Sequence, residues 1–313
     1  MKIRTRQINI QEIKNQTFDF IIACSGYETR SKYLFSNHNI NSKFRYCLCF
    51  SSHKNVLSRE ENDLFFIKKN EFTPIEGAGT SSNEIKQLLK HLDEFLTTND
   101  SISILIDYSS MARVWYSTLL LFFSSKYFNS KKIQLIFSYS ESEFTSPIQQ
   151  ESYNCEIEPI QGYYSISIPH KPTALIISLG YIERQAYGLA EYFDAIPYLY
   201  INQNSADDPI YLKVIETNKP LIQSVRENHI FHYTLSNLAY AESLLFQLCN
   251  ELRHKHRVVI APCGPKPFTL LSLIVAIRMK NVDVWRISAK SNLELIDKKP
   301  SGKLCILEYY QQP

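Results

Sequence analysis

The turn Asp107-Tyr108-Ser109-Ser110-Met111-Ala112-Arg113 has the residue types of an anion site. It closes the apolar run Ser101–Asp107, and Ser109 and Ser110 fall where a helix is expected to begin. Backbone N–H groups and hydroxyls point outward at such a position, and Arg113 adds a cation in the first helical turn, so a phosphate would meet both. Asp107 would accept from a ribose hydroxyl or a base edge. The same residues also suit a plain helix start, with Ser109 as cap and Asp107 as its support. A catalytic use is the further alternative, with Asp107 as general base or nucleophile in nucleotide cleavage or transfer and arginines stabilising developing charge.

Three other turns invite similar chemistry. Ala261-Pro262-Cys263-Gly264-Pro265-Lys266-Pro267 opens another apolar helix. There Gly264 lets a ligand approach the backbone, Pro267 suits a first-turn position, and Lys266 reaches for a phosphate. A rigid loop without a ligand fits equally. Cys263 is a nucleophile candidate if exposed near a helix N-terminus, and otherwise a structural thiol. Gly26-Tyr27-Glu28-Thr29-Arg30 and Gly180-Tyr181-Ile182-Glu183-Arg184 repeat a Gly-Tyr-x-x-Arg spacing. Tyr27 and Tyr181 are expected to stack on a base or to pack on a helix. Arg30 and Arg184 are expected to hold phosphate or to pair with Glu28 and Glu183. The segment Gly77–Ser82 is a candidate lid.

No GxGxxG, GxxxxGK[ST], GxSxG or HExxH motif occurs. The spacing of His229, His232, His254 and His256 suggests a metal, but His254 and His256 flank Lys255 at a basic helix end that suits the dipole. Neither a metal nor a cofactor is expected.

These turns need strands and helices to aim them. Phe18–Cys24 and Ala174–Ser178 are compact apolar runs, each followed by a helical pattern, and Arg30 and Arg184 stand 154 positions apart. The same offset carries Ser101–Asp107 onto the strand-like Arg257–Ala261, Ser109-Ser110-Met111 onto Cys263-Gly264-Pro265, and Asp107 onto Ala261. Ile133–Ser138 and Val282–Ile287 follow as further strands, and Ser82–Thr97 lies opposite Asn237–Glu251. Continuous apolar strands alternating with helices predict an α/β fold of internally duplicated Rossmann-like halves with mostly parallel, doubly wound sheets. Two strand–turn–helix units in one register favour duplication over the ordinary repetition of α/β proteins. The expected halves are 1–145 and 173–313. A linker over 146–172 contains a possible edge strand at Tyr163–Ile168. Ser81 and Glu84 have capping-box spacing, and Ser236 is a candidate cap for the later helix. In such sheets ligands bind beyond the carboxyl ends of the strands, which would bring all four turns toward one shared ligand site.

Composition narrows the partners. The 313 residues carry a net charge of +3 and only short basic clusters such as Lys68-Lys69, so nucleic-acid binding is possible but not signalled. The seven cysteines include no CxxC pair, which predicts reduced core thiols and a cytoplasmic protein. The start Met1-Lys2-Ile3-Arg4 has no apolar signal region, and the longest apolar runs, Val114–Phe123 and Phe268–Ile277, are too short to span a bilayer.

The Asp107-x-Ser109-Ser110-x-x-Arg113 turn resembles the Asp-x-Thr-Gly-Gly-Thr-Lys turn of CRISPR-associated Rossmann-fold sensor domains. Those bind cyclic oligonucleotides between two copies of the fold, and fused tandem copies form the related SAVED sensors of bacterial antiphage systems. Here Ser110 and Met111 replace the central glycines, and Arg113 stands near the family lysine. The resemblance implies a nucleotide sensor that signals to a separate protein effector, with its site near Ser109, Ser110, Arg113 and the first-strand turns. A scaffold subunit with purely structural turns is the reading from a different class.

Overall fold

The computed structural model describes residues 2–145, 155–165, 171–279, 281–289 and 295–313. It divides into two compact units, Met1–Glu143 with Leu295–Pro313, and Phe144–Glu294. Residues 295–313, expected in the second half, therefore belong with the first.

Along the first unit run β1 (Lys2–Gln7), α1 (Ile10–Lys14), β2 (Thr17–Ser25), α2 (Tyr33–Asn37), β3 (Asn41–Phe50), α3 (Arg59–Asp63), β4 (Thr73–Gly77), α4 (Lys86–Thr98), β5 (Ser101–Asp107), α5 (Arg113–Phe123) and β6 (Lys132–Ser142). The second unit contains β7 (Cys155–Pro159), β8 (Thr173–Ser178), α6 (Gln185–Phe193), β9 (Ile196–Asn202), α7 (Pro209–Thr217), α8 (Lys219–Ser224), β10 (Ile230–Tyr233), α9 (Leu238–Leu252), β11 (Arg257–Pro262), α10 (Lys266–Arg278) and β12 (Val282–Ala289). The chain then returns to the first unit as β13 (Pro300–Gln312).

The first sheet has the order β1-β13-β6-β5-β2-β3-β4, and the second β10-β9-β8-β11-β12-β7. In the first, β6 through β4 are parallel, while β13 pairs antiparallel with both β6 and β1. In the second, β10 through β12 are parallel and β7 closes an edge antiparallel to β12. Counting only parallel strands in chain order, both units read 3-2-1-4-5, the Rossmann-like arrangement. The edge strand in the expected linker is Cys155–Pro159. Tyr163–Ser165 form no strand, and 166–168 lie outside the described residues.

Local sequence explains the layers. β5 buries Ile102, Ile104, Leu105 and Ile106, side chains of both its faces, as a strand covered on both sides must. One face packs Ile21, Ala23, Cys47, Cys49, Leu105 and Ile136 against Leu34 of α2 and against Phe66, which lies in the π-helical turn after α3. On the other face Phe20 meets Phe95 and His91 of α4 with ring centroids 5.3 and 5.1 Å away. Leu88, Leu92 and Leu96 recur at four-residue spacing and supply the buried stripe of α4. A 3-10 turn, Ser82–Ile85, leads into that helix through the expected Ser81–Glu84 capping box. For α9 the cap is Asn237, whose side chain accepts from the Tyr240 N–H, and not Ser236. In the second unit Leu175, Ile177, Leu199, Ile201 and Val259 pack against α6, α7 and α8. Tyr200 of β9 meets Phe268 of α10 on the opposite face. Among the described residues, no helix is long and apolar enough to cross a membrane.

Candidate functional site

Strand order in the first unit reverses between β2 and β5, and the turns beyond their carboxyl ends meet there. A methyl group on Gly26 would fall 2.7 Å from Ser110 Cβ, so glycine is what allows the β2 and β5 turns to touch. The β2 and β5 turns singled out by their spacing therefore lie together at the carboxyl edge of the parallel strands. The spacing did not identify which side chains are available there.

Arg30 is spent on the protein. Its Nε donates to Glu28 Oε2 at 2.8 Å, and its Nη1 donates to Tyr139 Oη at 2.8 Å and to the Ser140 carbonyl at 3.1 Å. The guanidinium lies 5.0 Å from the centre of the Tyr139 ring, and the side chain is only 4% exposed. Burial opposes the charge, yet Tyr139 and Glu28 hold the Arg30 pKa above its ordinary value. Of the two uses expected for Arg30, phosphate binding or pairing with Glu28, the structure shows the pairing. Its turn is further tied to the returning chain: Asp297 accepts from the Thr29 N–H at 2.7 Å and from the Thr29 hydroxyl at 2.6 Å.

Asp107 and Ser109 are likewise internal. Asp107 is 1% exposed, and its Oδ1 accepts from the Ser109 N–H at 3.0 Å and from the Ser109 hydroxyl at 2.5 Å. Ser109 Oγ in turn accepts from the Ser140 N–H at 2.8 Å. The pair braces the β5 turn against β6, which is the supporting use weighed above. Ser110 remains half-buried, with its hydroxyl 3.4 Å from Glu28 Oε2.

Arg113 differs from both. It is the first residue of the 11-residue α5, whose N-cap, Ala112, supplies no side-chain hydrogen bond. The half-buried guanidinium makes no hydrogen bond or ion pair among the described residues. Uncapped N–H groups and an uncommitted cation stand together at this helix start.

Beside it lies a pocket of about 180 Å³ lined by Tyr27, Phe50, Ser52, His53, Arg59 and Ala78. Only Tyr27 was expected from the sequence. Its ring stands at 77° to that of His53, with centroids 6.4 Å apart. Burial, then the nearby Glu28 charge, raises its phenol pKa. His53 has a φ of +58°, an uncommon conformation for a side-chain-bearing residue, held in the loop after β3. Arg59 is 2% exposed: its Nε donates to Asp63 Oδ1 at 2.9 Å, and its Nη1 donates to the carbonyls of Phe50 at 2.7 Å and Ser52 at 3.3 Å. Gly79 joins the pocket to the α5 start, since a methyl group there would fall 2.6 Å from Phe50 Cε1 and 3.0 Å from Ala112 Cβ.

The Gly77–Ser82 segment, expected as a lid, is fixed by one carboxylate. Glu84 accepts from the N–H groups of Gly79 at 2.8 Å, Thr80 at 3.3 Å and Ser81 at 3.2 Å, from the Thr80 hydroxyl at 3.2 Å, and from Trp115 Nε1 at 2.8 Å. Burial alone would raise the Glu84 carboxyl, but these donors outweigh it and hold the pKa below its ordinary 4.5. The loop is thereby clamped to α5.

In the second unit the order reverses between β8 and β11. A methyl group on Gly180 would fall 2.3 Å from the Cys263 carbonyl oxygen, and one on Gly264 would fall 2.4 Å from Ser178 Oγ. Lys266 is the first residue of α10, whose N-cap, Pro265, also supplies no side-chain bond. Tyr181 packs on the apolar core, and half-buried Cys263 borders the same cluster. Arg184 is 89% exposed, with Glu183 at 3.9 Å and a φ of +59°. His229 stacks on Tyr198 with centroids 4.1 Å apart, and no group of three metal-binding side chains occurs among the described residues. Comparison with protein-family models, curated proteins and solved structures gives no match.

Proposed function

We propose that the first unit binds a phosphate-bearing nucleotide at the carboxyl edge of its parallel strands, and that the protein acts as a nucleotide sensor. The observation that carries this reading is the junction of an aromatic pocket (Tyr27, Phe50 and His53) with the uncapped start of α5 and its unpaired Arg113. A ring would enter the pocket, and a phosphate would take the α5 N–H groups, the Ser110 hydroxyl and Arg113. Asp107 supports binding over turnover, because its buried Oδ1 is already committed to Ser109. The shared 3-2-1-4-5 order supports an internal duplication, with α5 and α10 as equivalent helices carrying a cation at their first position. Signalling to a separate effector, in the manner of antiphage sensors, follows from the resemblance of the Asp107–Arg113 turn.

Thermal unfolding against a panel of nucleoside monophosphates tests the reading. A bound nucleotide at about a hundred times its Kd adds roughly 2.7 kcal/mol of stability. Arg113→Ala should weaken that binding about tenfold while leaving the unliganded Tm unchanged. No shift with any nucleotide, or equal affinity in the variant, overturns the proposal.

A further inference from the structure

The pocket holds one polar group that can work in only one direction. Tyr27 and Ser52 hydroxyls and the His53 ring each donate or accept as a ligand requires, whereas a guanidinium only donates. Arg59 is locked by Asp63 through Nε and by the carbonyls of Phe50 and Ser52 through Nη1. Nη2 has no partner among the described residues, and the side chain that carries it is 2% exposed and lines the pocket. Asp63 Oδ1 is itself held by the Ser25 hydroxyl at 2.5 Å, so the donor is set in a braced frame. The pocket, about 180 Å³, is well below the roughly 300–1,000 Å³ of sites that engulf drug-sized ligands, and suits a single ring system more than a whole oligonucleotide.

We infer that Arg59 makes this pocket selective for a nucleobase with a carbonyl at purine C6 or pyrimidine C4 (hypoxanthine, guanine or uracil) over one with an amino group there (adenine or cytosine), by donating from Nη2 to that carbonyl. This rests on the nucleotide reading above. A carbonyl at that position brings an acceptor to this donor, which a bound ring would cover. In adenine the ring nitrogens N1 and N7 both sit beside the amino group, so amino hydrogens would oppose the guanidinium. A buried charged donor left unmatched is penalised more than a neutral one. Phosphate contacts at Arg113 are the same for every base and contribute nothing to this choice.

The decisive experiment is equilibrium binding of the full chain to two matched pairs, inosine against adenosine monophosphate and uridine against cytidine monophosphate. The oxo member of whichever pair binds should be favoured about tenfold or more. Arg59→Lys, checked for folding by circular dichroism, should bring that ratio close to one while barely changing affinity for the amino member. Equal or reversed preference in the unaltered protein overturns the inference and leaves the nucleotide reading standing. Failure of all four nucleotides to bind overturns both. Because the ligand pairs are tested on the unaltered chain, the inference stays falsifiable even if the lysine variant does not fold.

Discussion

The two Gly-Tyr-x-x-Arg turns share a spacing and a place in the strand order, yet their arginines have opposite fates. Arg30 is buried against Tyr139 and paired with Glu28 at 2.8 Å, while Arg184 is 89% exposed. The residue two before each arginine explains much of this. It is Glu28 in the first unit and Ile182, 50% exposed, in the second, so only one arginine has a carboxylate at the right distance to follow it inward. The shared spacing thus fixes neither the chemistry nor the local backbone, since Arg30 lies in a 3-10 turn, Thr29–Lys32, whereas Arg184 has a φ of +59°. What both units share is a helix after the fourth parallel strand whose N-cap gives no side-chain hydrogen bond, with Arg113 or Lys266 at its first position.

The sharpest way to break the comparison is to remove each arginine. Arg30→Ala leaves Glu28 and Tyr139 without their cation and should cost about 3 kcal/mol by urea unfolding. Arg184→Ala should change stability by less than about 0.5 kcal/mol. Similar losses would mean that the turns are equivalent after all.

Glycine substitution probes the same contrast less severely. At Gly180 a methyl group meets the Cys263 backbone carbonyl at 2.3 Å, which cannot yield without moving the β11 turn. At Gly26 the obstacle is the Ser110 side chain at 2.7 Å. Gly180→Ala should therefore lose about 3 kcal/mol and Gly26→Ala about 1–2 kcal/mol, both read from denaturant midpoints. Adding Ser110→Gly should recover much of the Gly26→Ala loss, whereas no side-chain trimming rescues Gly180→Ala.

The Glu84 clamp has no counterpart among the second-unit contacts above, and it gives the smallest expected effect. Its carboxyl holds a proton less tightly in the fold than in the unfolded chain, so its contribution is present above the ordinary 4.5 and is lost as pH falls through and below that value. Glu84→Gln should be about 1–2 kcal/mol less stable than the unaltered protein near about pH 7. The gap should narrow as pH falls below 4.5 and close once the Glu84 carboxyl is protonated in the fold, as both proteins then carry a neutral side chain there. A gap that stays constant with pH would assign the loss to shape and not to charge.

Much of this fold was legible where a strand is apolar and continuous. β5 has the bounds expected from its sequence, and the Ser81–Glu84 box announced the start leading to α4. β3 was not, since Asn41-Ser42-Lys43 opens it with polar residues, and β13 begins Pro300-Ser301-Gly302-Lys303. Pairing was less legible still: β13 follows β12 along the chain, yet it binds β6, a partner chosen by tertiary packing and unmarked in local composition. Arg59 went unnoticed for a related reason. Set in Ser58-Arg59-Glu60-Glu61-Asn62-Asp63, it reads as part of a solvated charged helix, and only the approach of the Phe50 and Ser52 carbonyls draws it inside.

The neighbouring strands β6 and β13 also set a timetable. Ser142 pairs with Pro300, and the Glu143 N–H donates to the Lys299 carbonyl at 2.9 Å, although the whole of Phe144–Glu294 is synthesised in between. At about 5–20 residues per second, a ribosome leaves β6 without that neighbour for on the order of ten seconds. During that interval its outer row of N–H and C=O groups is a bare strand edge. β1, whose sheet partner is β13, is made near the start and must wait about twice as long. The inserted unit can finish folding while its host is still incomplete, so nascent chains stalled before β13 should be the form most in need of a chaperone.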